Sequence, residues 1–213
     1  FFGAGDEKNL QRAVHTTVAF GLVAGVLMTG VGVALSPQIL RWMDTPESVM
    51  RESVTYLQIY FAGSLGFVMY NVLVGILQAV GDSRHPLYYL IVSSVINLVL
   101  DLLFITGFHT GVGGAAVATV ISQIVSALLC FWQLLRTKES YGLKIRKIRF
   151  DKGILVQIIK IGLPSGVQNS IIAFANVIVQ SNINAFGEMA MAGYGAYTKV
   201  EGFGFLPINS FTM

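Results

Sequence analysis

Pro86-Leu87-Tyr88-Tyr89-Leu90-Ile91-Val92-Ser93-Ser94-Val95-Ile96-Asn97-Leu98-Val99-Leu100-Asp101-Leu102-Leu103-Phe104-Ile105-Thr106-Gly107-Phe108 is an almost unbroken apolar run holding one charged side chain. As a helix it reaches about 35 Å, enough to cross a hydrocarbon layer of roughly 30 Å. Asp101 is the only Asp, Glu, Lys or Arg between Arg84 and Arg136. A carboxylate among Leu, Val, Ile and Phe is costly in an apolar medium, so it needs a partner or a purpose. Ser93, Asn97 and Asp101 are four apart and stack on one helix face. Two readings stand: a hydrogen bond that ties helices together, or an ion or proton site.

The rest of the chain has the same character. Of its 213 residues 54% are hydrophobic and 12% charged, with a mean hydropathy of +0.68. Soluble domains carry about 25% charged residues, so the composition specifies an all-α polytopic membrane protein. The single cysteine, Cys130, cannot form an intrachain disulfide and reads as a packing residue. The opening Phe1–Asp6 has neither Met nor a basic start, and Asn209–Met213 closes without a cap. Both ends suggest an internal segment of a longer protein.

Six spans are expected. They run about Val14–Leu35, Ser53–Val80, Leu87–Phe108, Ala115–Leu135, Ile161–Phe186 and onward from Ala190. Ser36-Pro37 reads as the end of the first, and Pro46 as the first turn of the second. Gly21 and Gly25 offer a small-residue face for close packing. Gly162-Leu163-Pro164-Ser165-Gly166 predicts a bent or irregular start to the fifth. Short loops make the spans alternate sides. Eleven basic residues then gather on the side of Lys8, Arg12, Arg84 and the run Arg136–Lys160, against only Arg41 and Arg51 opposite. The positive-inside rule makes the Arg136–Lys160 loop cytoplasmic, and the expected setting is a bacterial or archaeal plasma membrane. A basic loop beside spans is this orientation signal, so no nucleic-acid partner is expected.

Enzymatic motifs are missing: no P-loop, no HExxH, no Gly-x-Ser-x-Gly and no aspartate cluster for magnesium-diphosphate. Neither an enzyme nor a cofactor is expected. The chemistry that remains is polar side chains inside spans. Asn97, Asp101 and Thr119 supply an amide, a carboxylate and a hydroxyl, suited to sodium or to a proton on the carboxylate. Thr119, Ser122, Gln123 and Ser126 form a polar stripe on the fourth span. Asn169, Asn176 and Gln180 on the fifth, with Glu201 on the sixth, are candidates to line a cavity.

Several motifs, in order, carry a resemblance. Phe2-Gly3-Ala4-Gly5-Asp6 resembles the cytoplasmic loop after the second helix of MATE (multidrug and toxic compound extrusion) transporters. Gln78–Pro86 is similar to that family's loop between helices four and five. Asn97–Phe104 followed by Gly111–Thr119 resembles its signature on helices five and six, and Gly162-Leu163-Pro164 the start of its second repeat. The resemblance implies six helices, the third to eighth, of a twelve-helix, two-lobe fold. Residues 1–135 would then belong to the first lobe, 136–160 to the inter-lobe linker, and 161–213 to the second lobe. It also implies a monomeric, proton- or sodium-coupled antiporter exporting small organic, often cationic and aromatic, compounds by alternating access. Asn97, Asp101 and Thr119 match the family's coupling positions, whose further acidic partner on the first helix falls before this chain. Two alternatives are a lipid-linked sugar flippase of the same superfamily and a non-transporting helical bundle.

Overall fold

The computed structural model describes residues 1–212, with side chains through Phe205; those of the closing stretch Asn209–Met213 lie outside the described residues. The described residues form seven α-helices: α1 Glu7–Trp42, α2 Glu47–Ala62, α3 Ser64–Ala79, α4 Arg84–Leu102, α5 Gly111–Arg136, α6 Lys152–Asn184 and α7 Glu188–Thr212. No strand occurs among the described residues. Helices α1, α4, α5 and α6 are each long and apolar enough to cross a membrane, and α2 with α3 makes a fifth span bent by 46°. Although α7 has 25 residues, it does not join that set. Its four glycines between Gly193 and Gly204, together with Lys199 and Glu201, dilute its apolar content.

Three expected boundaries change. The first helix does not stop at Ser36-Pro37 but continues to Trp42. Pro37 brings no N–H to the ladder, and the Ser36 hydroxyl donates to Gly32 O at 2.6 Å, giving one carbonyl beside the gap a partner. The second span is two helices, because Gly63-Ser64 lets the chain bend where α5 presses into it. A Cβ on Gly63 would meet Val120 Cγ2 at 2.4 Å, and one on Gly66 would meet Ile124 at 2.8 Å. The fifth span begins regularly at Lys152, ten residues before Gly162, and runs through Pro164 without interruption. The Asp151 carboxylate caps it by accepting from the N–H groups of Gly153 and Ile154.

The core sits at one end of the bundle. Val14 and Val18 of α1 meet Met69, Leu73, Ile76 and Leu77 of α3, and Ala127, Cys130 and Leu134 of α5. Cys130 is thus a packing residue with no exposure. Lipid tails are as apolar as these side chains, so close van der Waals packing holds such helices together. The glycine face of α1 does this: a Cβ on Gly21 would meet Val72 at 2.9 Å, and one on Gly25 would meet Leu65 at 2.7 Å. Outward-facing Leu87, Val95, Leu98 and Val99 of α4 are all more than half exposed, as a lipid-facing surface requires.

The basic segment after α5 is pinned rather than loose. Leu143 is buried, and its N–H donates to Leu134 O at 2.8 Å. Gln11 Nε2 donates to the carbonyls of Ser140 and Gly142. The N–H of Lys144 donates to His15 Nε2 at 3.0 Å, while His15 Nδ1 lies 2.6 Å from Gln11 O. These partners select the neutral tautomer with its proton on Nδ1. Thr16 Oγ1 accepts from the N–H of Asp151 at 3.1 Å. At the other end, Asn184 Nδ2 donates to Met43 O, and Ser48 donates to Glu188. The start of α1 therefore shares a side with the basic segment, and the α1–α2 turn shares the opposite side with the α6–α7 turn.

His15→Phe tests the pin. It strands the N–H of Lys144, a loss of about 1–3 kcal/mol. Limited trypsin digestion should then cut after Arg146, Lys147 or Arg149 about five to 150 times faster than in the wild type.

Candidate functional site

Helix α4 lies antiparallel against α5, and two contacts set the register. Tyr89 OH donates to Gln133 Oε1 at 3.3 Å near one end. Near the other, a Cβ on Gly114 would meet Phe104 Cβ at 3.0 Å. Counting inward equally from the two ties sets Asn97 opposite positions 121–125 and Asp101 opposite 117–121. Asp101 thus shares a level with Thr119, and Asn97 with Gln123.

The expected face of α4 is real. Ser93 is buried, Asn97 and Asp101 are half-buried, and their neighbours Ser94, Val95, Leu98 and Val99 are exposed. Ser93 is satisfied within its own helix, donating to Leu90 O at 3.0 Å. Asn97 and Asp101 differ. Five buried side-chain polar atoms lack a hydrogen-bond partner among the described residues: Asn97 Nδ2, Asp101 Oδ1, Gln123 Oε1, Thr29 Oγ1 and Gln11 Oε1. Three of them therefore fall on adjoining levels of the α4–α5 pair. Buried polar atoms are almost always paired, so such a cluster marks a place built to meet something polar.

The hydroxyl of Thr119 donates to Ala115 O at 3.0 Å. Its proton is committed, and its lone pairs are left to accept a hydrogen bond or a cation. Ser122 and Ser126 likewise donate to carbonyls one turn back, so the α5 stripe makes no ties to α4 through its hydroxyls. A single π-helical turn, Leu103–Gly107, begins two residues after Asp101, with the N–H of Phe108 donating to Leu103 O at 3.0 Å. Turns of this type gather at functional sites, because one inserted residue re-aims the side chains before it.

Gln123 is the member that sequence reasoning left out of the site. It appears there only as part of a stripe, since its pairing level with Asn97 depends on the helix register. The remaining candidates lie elsewhere. Asn169 and Asn176 are exposed on α6, whose neighbours are α1 and α7. Gln180 donates to Asn184 Oδ1 at 2.8 Å, and Asn184 in turn holds the end of α1. Glu201 is exposed on α7 and accepts from Tyr197 OH at 3.1 Å.

Set beside known proteins, the chain has matches along its full length. The MatE family model matches residues 1–103, which include Asn97 and Asp101. The probable multidrug resistance protein YoeA of Bacillus subtilis is 32% identical over 98% of this chain and 47% of its own length. The chain is similar to the MATE family. A second Bacillus subtilis relative, the probable multidrug resistance protein YpnP, is 33% identical over 96% of the chain and 46% of itself. In three dimensions the fold matches the inward-facing conformation of a multidrug resistance MATE family transporter of the MOP superfamily. That match has a TM-score of 0.87 and 29% identity, covering 97% of this chain and 47% of the other. The chain spans about half the length of the curated relatives it matches. Among the described residues it is an all-helical, multi-pass membrane protein.

Proposed function

We propose that the protein is a cation-coupled antiporter that exports small organic, often cationic, compounds by alternating access, with proton or sodium bound at Asp101. The observation that carries this reading is the buried, unpartnered carboxylate oxygen of Asp101, which the register of α4 on α5 puts at the level of Thr119. An unpaired charge out of water costs several kcal/mol, which a proton or a bound cation offsets. A ligand that binds one conformation better than the other then shifts the balance between inward and outward states. Thr119 Oγ1 and Gln123 Oε1 are hard oxygen acceptors for sodium, and Asn97 Nδ2 is a donor that orients the carboxylate or meets a substrate acceptor. The Arg136–Lys160 segment faces the cytoplasm in this reading, so Asp101 lies in the outer half of α4.

The alternatives fare less well. A flippase for lipid-linked sugars needs a cationic cavity, and no Lys or Arg occurs between Arg84 and Arg136. Polar residues that only tie helices together would be bonded across α4 and α5. Among the described residues the buried Asn97 Nδ2 and Asp101 Oδ1 have no hydrogen-bond partner. The multidrug names of the relatives support the export of organic compounds. Gln123→Leu in the full-length protein is expected to weaken the apparent affinity for the coupling ion about two- to tenfold, the worth of one hydrogen-bond acceptor. The check is the ion dependence of dye efflux from proteoliposomes; an unchanged dependence would remove Gln123 from the site.

A further inference from the structure

At the end of the bundle away from Asp101, the pinned basic segment and the start of α1 line a half-open cavity of about 450 Å³. Lys8 and Arg12 line it from α1, and Arg146, Lys147, Arg149 and Asp151 from the segment before α6. Five cations thus face one carboxylate. Asp151 is already engaged: it caps α6 and lies 3.7 Å from Arg12. Lys8, Arg146, Lys147 and Arg149 have no ion-pair partner among the described residues. His15, on the cavity wall, adds no charge in the tautomer its two hydrogen bonds select. Like charges held this close repel one another, yet the tethers from Gln11, His15 and Thr16 hold the segment there. Orientation alone needs no such folded arrangement, because the positive-inside rule counts charges without regard to their shape.

We propose that this cavity binds the phosphate headgroup of an anionic membrane lipid. Guanidinium groups match phosphate oxygens with paired donors, and lysine supplies a compact charge beside them. The flanking residues argue for a lipid rather than free phosphate. Ile145 is 60% and Phe150 47% exposed, interleaved with the three cations of the segment. Val156 and Ile159, on the first turns of α6, are exposed as well. Apolar side chains alternating with Lys and Arg beside a span fit acyl chains below and headgroups at the same level. Basic pockets between spans are a recurrent setting for acidic lipid headgroups.

Native mass spectrometry of the full-length protein in detergent tests this, with phosphatidylglycerol, phosphatidylcholine and inorganic phosphate titrated separately. Phosphatidylglycerol is expected to bind, and the other two not to at matched concentration. Arg146→Gln, Lys147→Gln and Arg149→Gln combined should weaken that binding at least about tenfold, as the loss of three charges near a headgroup implies. Lys138→Gln, Lys152→Gln and Lys160→Gln combined remove as much charge from the same side outside the cavity, and should leave binding within about threefold. Equal losses in the two triple variants, or equal binding of phosphatidylcholine, would overturn the proposal. Inorganic phosphate binding as tightly as the lipid would overturn the lipid assignment. Arg149→Gln alone, which leaves every backbone tether in place, reads the same site should the triple variant unfold.

Discussion

Asp101→Asn in the full-length protein is expected to abolish ion-driven efflux while leaving the protein folded in the membrane. The substitution keeps the size of the side chain and removes the charge that the proposed proton or sodium would neutralise. Losing one partner of a buried charge interaction is worth about 2–5 kcal/mol, or roughly 30- to 4,000-fold in ion affinity. Folding should survive, because Asp101 Oδ1 accepts no hydrogen bond among the described residues whose loss would strand a donor. Dye efflux from proteoliposomes driven by a proton or sodium gradient is the measurement. Wild-type rates in the variant would place the coupling ion elsewhere.

Gly63→Ala should be among the most destabilising small substitutions in the chain. The bend between α2 and α3 brings Gly63 against α5 so closely that the added methyl would sit 2.4 Å and 2.6 Å from the two methyls of Val120. Val120 is β-branched on a helix and has almost no alternative rotamer to retreat into. Overpacking of this kind costs about 1–3 kcal/mol, or about 2–12 °C in Tm for a protein of this size. Val120→Ala in the same molecule removes both obstructing methyls and should restore most of the loss. A double variant no more stable than Gly63→Ala would show that the contact does not set the bend.

The helical framework was legible because membrane crossing imposes length and apolarity together, and because glycine spacing on α1 marks where helices meet. What misled were the local breakers. Pro37 read as a helix end and Pro164 as part of a bent or irregular start, yet both sit inside continuous helices. A helix in an apolar medium holds its backbone bonds so strongly that one missing N–H is tolerated. The break that does occur, at Gly63, carries no proline and follows from what packs against it, which a single span's pattern does not contain. The site divides similarly. Asp101 announced itself by its cost among apolar neighbours, and Asn97 by lying one helical turn away. Gln123 looked no different from Ser122 or Ser126 until the register of α4 on α5 set it level with Asn97. The basic run Arg136–Lys152 read only as an orientation signal, whereas Gln11, His15 and Thr16, sixteen or fewer residues from the start, hold it against α1.

Whether Asp101 gives up an ion when substrate arrives can be measured directly. Purified full-length protein in weakly buffered solution is mixed with an organic-cation substrate, and released protons and sodium are followed with a pH-sensitive dye and a sodium electrode. Release of one of the two ions by the wild type, and none by Asp101→Asn with substrate still bound, is the predicted result. Equal release from both proteins would contradict an ion held at Asp101.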